Sequence, residues 1–121
     1  MKARIPNQNV PILKEAIFAT DSYSFGIETG SESQAPMTPG AILACNGAEI
    51  ILNPSACKEL ADSNRQTKER IQADSRRYKS IYMHANSGWG ESTSNAVHSG
   101  YNAIAECGNI IAEGERFKTE S

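Results

Sequence analysis

The sequence predicts an α/β fold, one mixed sheet with helices on one face, and three observations predict it. Apolar runs of strand length alternate with stretches of helical period along most of the chain. The run Ile50-Ile51-Leu52 has no polar side, which is the pattern of a strand buried on both faces. Near the C-terminus a short link containing glycine, Cys107-Gly108-Asn109, joins two apolar segments as a hairpin would.

Taken in order, residues 1–20 contain Pro6 and Pro11 and show no clean period, so no element is expected there. Residues 22–28 place Tyr23, Phe25 and Ile27 at alternate positions, a strand with one strongly apolar face. Thr38 followed by Pro39 is a helix start, with the hydroxyl as cap and proline at the first helical position, and Asn46-Gly47 is a stop. Residues 48–53 then form the second strand, which Pro54 is expected to end. Residues 58–78 are charged and free of glycine and proline, with Leu60, Thr67, Ile71 and Tyr78 near one helical face. So narrow a stripe predicts a helix on the outside of the fold, its charge run a solvated face. Ile81 and Met83 alternate in the strand over residues 80–85, and the hairpin of residues 101–106 and 110–115 completes the sheet.

The chain of 121 residues is long enough for one domain with a real core, and residues 1–121 read as one. A formal charge of -2 and a pI near 5.7 exclude a surface built to neutralise phosphates, so no nucleic acid is expected. No apolar run is long enough to span a bilayer and the N-terminus lacks a secretory apolar core. A cytoplasmic protein without a membrane partner is expected. Cys45, Cys57 and Cys107 are odd in number and lack the close paired spacing of zinc ligands, so they read as free thiols. With only His84 and His98 beside them, no metal is expected, and both histidines read as structural or solvent-facing.

Three downstream segments carry a family resemblance. They are Gly90-Glu91-Ser92-Thr93, Gly100-Tyr101-Asn102-Ala103-Ile104-Ala105-Glu106-Cys107-Gly108, and Ile111-Ala112-Glu113-Gly114-Glu115-Arg116-Phe117. In order and spacing they resemble the closing half of the glutaminase domain of glutamine-dependent NAD synthetases, a nitrilase-like carbon-nitrogen hydrolase. Upstream, Phe25-Gly26-Ile27-Glu28 resembles the strand before the family's nucleophile, and the stretch from Gly47 to Ala56 resembles the strand after the next helix. Lys2-Ala3-Arg4-Ile5-Pro6-Asn7 looks like the catalytic-lysine loop. The resemblance implies part of an αββα sandwich. It also implies release of ammonia from glutamine, which a separate ATP-dependent domain uses to amidate nicotinic acid adenine dinucleotide.

Amide hydrolysis through a thioester needs a thiolate, a base and a positive donor over the oxyanion, and the family supplies Cys, Glu and Lys. Lys2 falls at the lysine. Where the family reads Glu-Ile-Cys-Glu-Asp, this chain reads Glu28-Thr29-Gly30-Ser31-Glu32, so Gly30 stands at the nucleophile position without a thiol. Ser31 is the adjacent hydroxyl, and no neighbouring histidine activates it. The glutamate base corresponds to a position before Met1, and Gln8 stands where an aromatic residue is expected. Cys57 falls where the family has a small polar residue that helps hold glutamine. The expectation is a substrate-binding region containing Ser31 and Cys57 that is inactive alone, with glutamine as the family substrate.

This domain itself is expected to need no cofactor, ATP and Mg belonging to the synthetase domain. Two other readings stay open: a catalytically dead nitrilase-like module for assembly or binding, and a different carbon-nitrogen hydrolase acting on a small amide. The expected helices cover one face of the sheet and leave nothing for the other. A homo-oligomer or a complementary chain is therefore expected.

Overall fold

The computed structural model describes residues 2–5, 8–11, 13–88, 90–91 and 96–118, with side chains from residue 13 onward within those ranges. Strands β1 (Lys2–Ile5) and β2 (Gln8–Pro11) pair antiparallel as a two-stranded sheet of their own. A second sheet has six strands. They are β3 (Ile17–Ala19), β4 (Ser24–Ile27), β5 (Ile50–Ser55), β6 (Ile81–Asn86), β7 (Asn102–Glu106) and β8 (Asn109–Glu113), adjacent in sequence order. The pairs β4–β5 and β5–β6 are parallel and the flanking pairs antiparallel, so the sheet is mixed as expected.

Helix α1 (Pro39–Cys45) joins β4 to β5, and α2 (Ser63–Tyr78) joins β5 to β6. Both crossovers step across the sheet in the same direction, and crossovers of one hand then place their helices on the same face. Leu43 of α1 and Ile71 and Tyr78 of α2 pack there against Ile51, Tyr82, Ala103 and Ala105. The start of α1 is the expected one: the Thr38 hydroxyl accepts the Ala41 N–H at 3.2 Å, and Gly47 after its end takes φ +100°. The hairpin turn is Cys107-Gly108, both with positive φ, as a two-residue turn matching the strand twist requires.

The structure departs from the sequence reading in several places, first in residues 1–20, where no element was expected and strands β1, β2 and β3 form. Helix α2 starts at Ser63, leaving Leu60 outside it and 70% exposed. Strand β5 does not end at Pro54 but runs on to Ser55, with Pro54 in register with Ala85. Leu52 presents its backbone to β4, accepting the Glu28 N–H at 2.9 Å, so Pro54 two residues on turns its missing N–H toward a side where β4 has already stopped. Strand β3, an edge strand of three residues, is too short to show a period.

The apolar alternation of the first expected strand is real, but it faces the other way. Gly26 and Glu28 are the buried positions beneath the helices, whereas Tyr23 is 48% and Ile27 45% exposed. Ile27, Leu52, Met83, Ile104 and Ala112 sit side by side across five strands on the face that no helix of the described residues covers. They line an apolar recess of about 640 Å³.

Candidate functional site

Parallel strands end together, and their C-terminal ends are where an open α/β sheet presents loops to a ligand. Here β4 gives way through Thr29 to a 3₁₀ helix over Gly30–Gln34, and β5 ends at Ser55 beside it. Between them lies an open cavity of about 560 Å³ lined by Thr29, Gly30, Ser31, Gln34, Pro54, Ser55, Ala56 and Cys57. Three of the four residues singled out from the sequence, Gly30, Ser31 and Cys57, therefore share one cavity. Lys2 lies in β1, but its side chain is outside the described residues.

The turn is held from several directions. The Thr29 hydroxyl and N–H both donate to the Glu32 carboxylate, at 2.6 and 3.3 Å, and these bonds hold that carboxyl below its ordinary range. The Ser33 hydroxyl donates to the Gly30 carbonyl at 2.7 Å and accepts from Arg70 Nη1 at 3.1 Å, tying the turn to α2. Beneath it, the fully buried Glu28 carboxylate accepts from the Tyr82 hydroxyl at 2.7 Å and from the Gly40 N–H at the start of α1. Burial, followed by the charge of Glu28, pushes the Tyr82 hydroxyl up. Gly40 must lack a side chain, since a Cβ there would lie 2.9 Å from the Tyr78 ring as well as against Glu28.

The far wall is fixed through Asn86, which accepts the Cys57 N–H at 2.9 Å and donates to the Cys57 carbonyl at 3.1 Å. The Cys57 thiol lies 2.8 Å from the Ser55 hydroxyl. Gly30 abuts the same serine: a Cβ on residue 30 would lie 2.7 Å from Ser55 Oγ and 3.2 Å from Ser55 Cα. A side chain at residue 30 would need the Ser55 hydroxyl to turn and β5 to give by a few tenths of an ångström.

This arrangement offers hydroxyls, an amide and a thiol to a ligand, and no base. Among the described lining residues none is a histidine, carboxylate or lysine. His84 is buried on the helix side, where its Nδ1 lies 2.7 Å from Asn53 Oδ1, and burial, aided by the Arg70 charge, pushes it down to about 4. His98 Nδ1 lies 3.1 Å from the Cys57 carbonyl, so it supports the loop's backbone and not the thiol. Cys45, Cys57 and Cys107 are all free, and no group of three or more metal-ligating side chains occurs among the described residues. Among those residues, too, no helix is long and apolar enough to cross a membrane.

Sequence reasoning missed Ser55, Thr29 and Gln34 as lining residues and Glu28 as the carboxylate beneath the turn. Parity was the available signal. Ser55 and Cys57 are two apart at a strand end, and Glu28 shares its strand side with Gly26, opposite Phe25 and Ile27.

No protein-family model matches the chain. It is 28% identical over 117 residues to the glutamine-dependent NAD(+) synthetase of Mycobacterium tuberculosis, a match covering 94% of this chain and 17% of that protein. The glutamine-dependent NAD(+) synthetase from Cytophaga hutchinsonii superposes with a TM-score of 0.84 at 18% identity, covering 99% of this chain and 19% of that one. An amidase of the nitrilase superfamily from Nesterenkonia superposes at 0.70 with 15% identity, over 83% of this chain and 37% of the other. The chain thus spans less than a fifth of these two NAD synthetases. The resemblance read from the sequence holds, and the fold is nitrilase-like.

Proposed function

We propose that this chain is a stretch of a glutaminase domain of the NAD synthetase type, that it forms one wall of the glutamine site, and that it does not hydrolyse glutamine alone. The observation that carries the reading is the cavity shared by Gly30, Ser31 and Cys57 at the ends of parallel strands in a nitrilase-like fold. Its neutral hydrogen-bonding groups suit a carboxamide. With no side chain at residue 30 and no base in the lining, nothing there generates a nucleophile, because an unactivated serine hydroxyl is a poor one near neutral pH. The domain itself takes no cofactor in this reading; ATP and Mg belong to a synthetase domain that uses the ammonia, and the protein works in the cytoplasm.

The uncovered sheet face favours the second reading, an assembly role, as a companion to the first. A sandwich with two sheets in its middle buries this face, and for this stretch by itself a complementary chain or a second copy is the expected cover. At roughly 25 cal/mol per Å², each 100 Å² of apolar surface covered contributes about 2.5 kcal/mol toward association, against the entropy that association costs.

Three measurements on the purified chain test these readings. Millimolar glutamine should shift the backbone amide signals of Thr29 to Ser31 and of Ser55 to Cys57, and an unperturbed spectrum would remove glutamine as ligand. No ammonia should form from glutamine above background; a protein-dependent rate that Ser31→Ala or Cys57→Ala abolishes would show that one of them serves as nucleophile. Light scattering at micromolar concentration should report a dimer or larger species, and a stable monomer would end the assembly reading.

A further inference from the structure

Behind the wall that carries Cys57, and separate from the candidate site, a small, partly enclosed space lies between α2, β6 and the strap leading into β7. It measures about 10 Å³, roughly the volume that one water centre needs, and is lined by Asn64, Thr67, His84, Ser99 and Tyr101 together with Cys57. Its lining is polar yet incompletely bonded. Ser99 is 1% exposed, and among the described residues neither its hydroxyl nor the buried Asn64 Oδ1 has a hydrogen-bond partner. Buried polar groups are nearly always satisfied by protein or by ordered water, so two orphans beside one water-sized space require a common partner.

The histidine supplies a third group. The Asn53 amide nitrogen donates to the Glu28 carbonyl at 2.7 Å, which leaves Asn53 Oδ1 as an acceptor facing His84 Nδ1. The proton of the neutral imidazole therefore sits on Nδ1, and Nε2 keeps a free lone pair with no partner found among the described residues.

We propose that this space holds one tightly bound water that accepts from the Ser99 hydroxyl and donates to Asn64 Oδ1 and His84 Nε2. Three bonds satisfy every orphan at once. The water joins the first turn of α2, strand β6 and the strap before β7 behind the loop whose other side is the Cys57 wall of the candidate site. The inference stands on the cavity and its orphans alone, whatever ligand the candidate site takes.

Oxygen-17 magnetic relaxation dispersion on the whole chain counts long-lived internal waters. The natural chain should show one more than the Ser99→Val variant, whose side chain fills the space, and equal counts would overturn the proposal. Ser99→Ala supplies a second reading that depends on sign. If the water is there, losing its donor should lower Tm by about 4 °C. If the space is dry, alanine removes an orphaned hydroxyl and Tm stays level or rises, which would also overturn it.

Discussion

The two faces of the six-stranded sheet are built from the same strands and have opposite fates. Under the helices, Ile51, Tyr82 and Ala105 are wholly buried. One residue along each strand, Leu52, Met83 and Ile104 remain only half covered and line the recess. Both faces are apolar, so hydrophobicity does not distinguish the core of this chain from the surface it offers for covering. What distinguishes them is polar chemistry. The helix face also holds Glu28, Asn53 and His84, each hydrogen-bonded, while the row across the open face has no polar side chain. An open row of apolar side chains across five strands is suited to a second layer.

Neighbouring residues on opposite faces give the sharpest test. Ile51→Ala removes a fully buried side chain and should cost about 4 kcal/mol in denaturant unfolding. Leu52→Ala, one position on, should cost about 1 kcal/mol in dilute solution, and more as concentration rises and the face becomes covered. Equal costs at every concentration would mean that the two faces do not differ.

The polar anchors sharpen the comparison through pH. His84 is pushed down to about 4 in the fold from an ordinary value near 6.5, so between those values the unfolded chain binds the extra proton. Its contribution is fully present above pH 6.5 and is lost as pH falls toward 4, on the order of 3 kcal/mol in all. Asp74, which burial pushes up, titrates in the opposite sense and offsets part of the loss at the acid end. His84→Asn, which keeps a donor toward Asn53, should flatten unfolding midpoints measured between pH 6.5 and 4.5. An unchanged slope would place the acid sensitivity elsewhere.

Most of the sheet was legible because period and punctuation act locally. Thr38-Pro39, Asn46-Gly47 and the hairpin turn each specify backbone geometry with their own side chains or lack of them. The facing of β4 was not legible, because Tyr23, Phe25 and Ile27 form an apolar stripe whether it meets a helix or a missing layer. Only the partners of Glu28, which lie on α1 and β6, decide that point, and they come from residues 12 and 54 positions away. The candidate site was legible as positions but not as a space. Motif order placed Gly30, Ser31 and Cys57, whereas the approach of Ser55 to Gly30 depends on the pairing of β4 with β5.

That approach leads to an effect smaller than those of Ile51 and His84, and the one closest to the candidate site. On Gly30→Ala the new Cβ would meet Ser55 Oγ at 2.7 Å, a contact that a rotation of the serine relieves. It would also meet Ser55 Cα at 3.2 Å, which is backbone of β5 and yields only if the strand moves. Crowding of this kind costs about 2 kcal/mol, and Ser55→Gly in the same chain should recover about half of it by removing the hydroxyl but not the strand. Ser31→Ala, at an exposed position on the same turn, should change stability by less than about 0.5 kcal/mol. A fully tolerated Gly30→Ala would show that the turn moves away from β5 freely. A thiol placed at residue 30 would then have room, and the described lining residues would still offer no base to activate it. If the cost appears and Ser55→Gly lowers it, the position is closed by packing as well as by the loss of its side chain. Gly30→Cys alone would then stay inactive for two separable reasons.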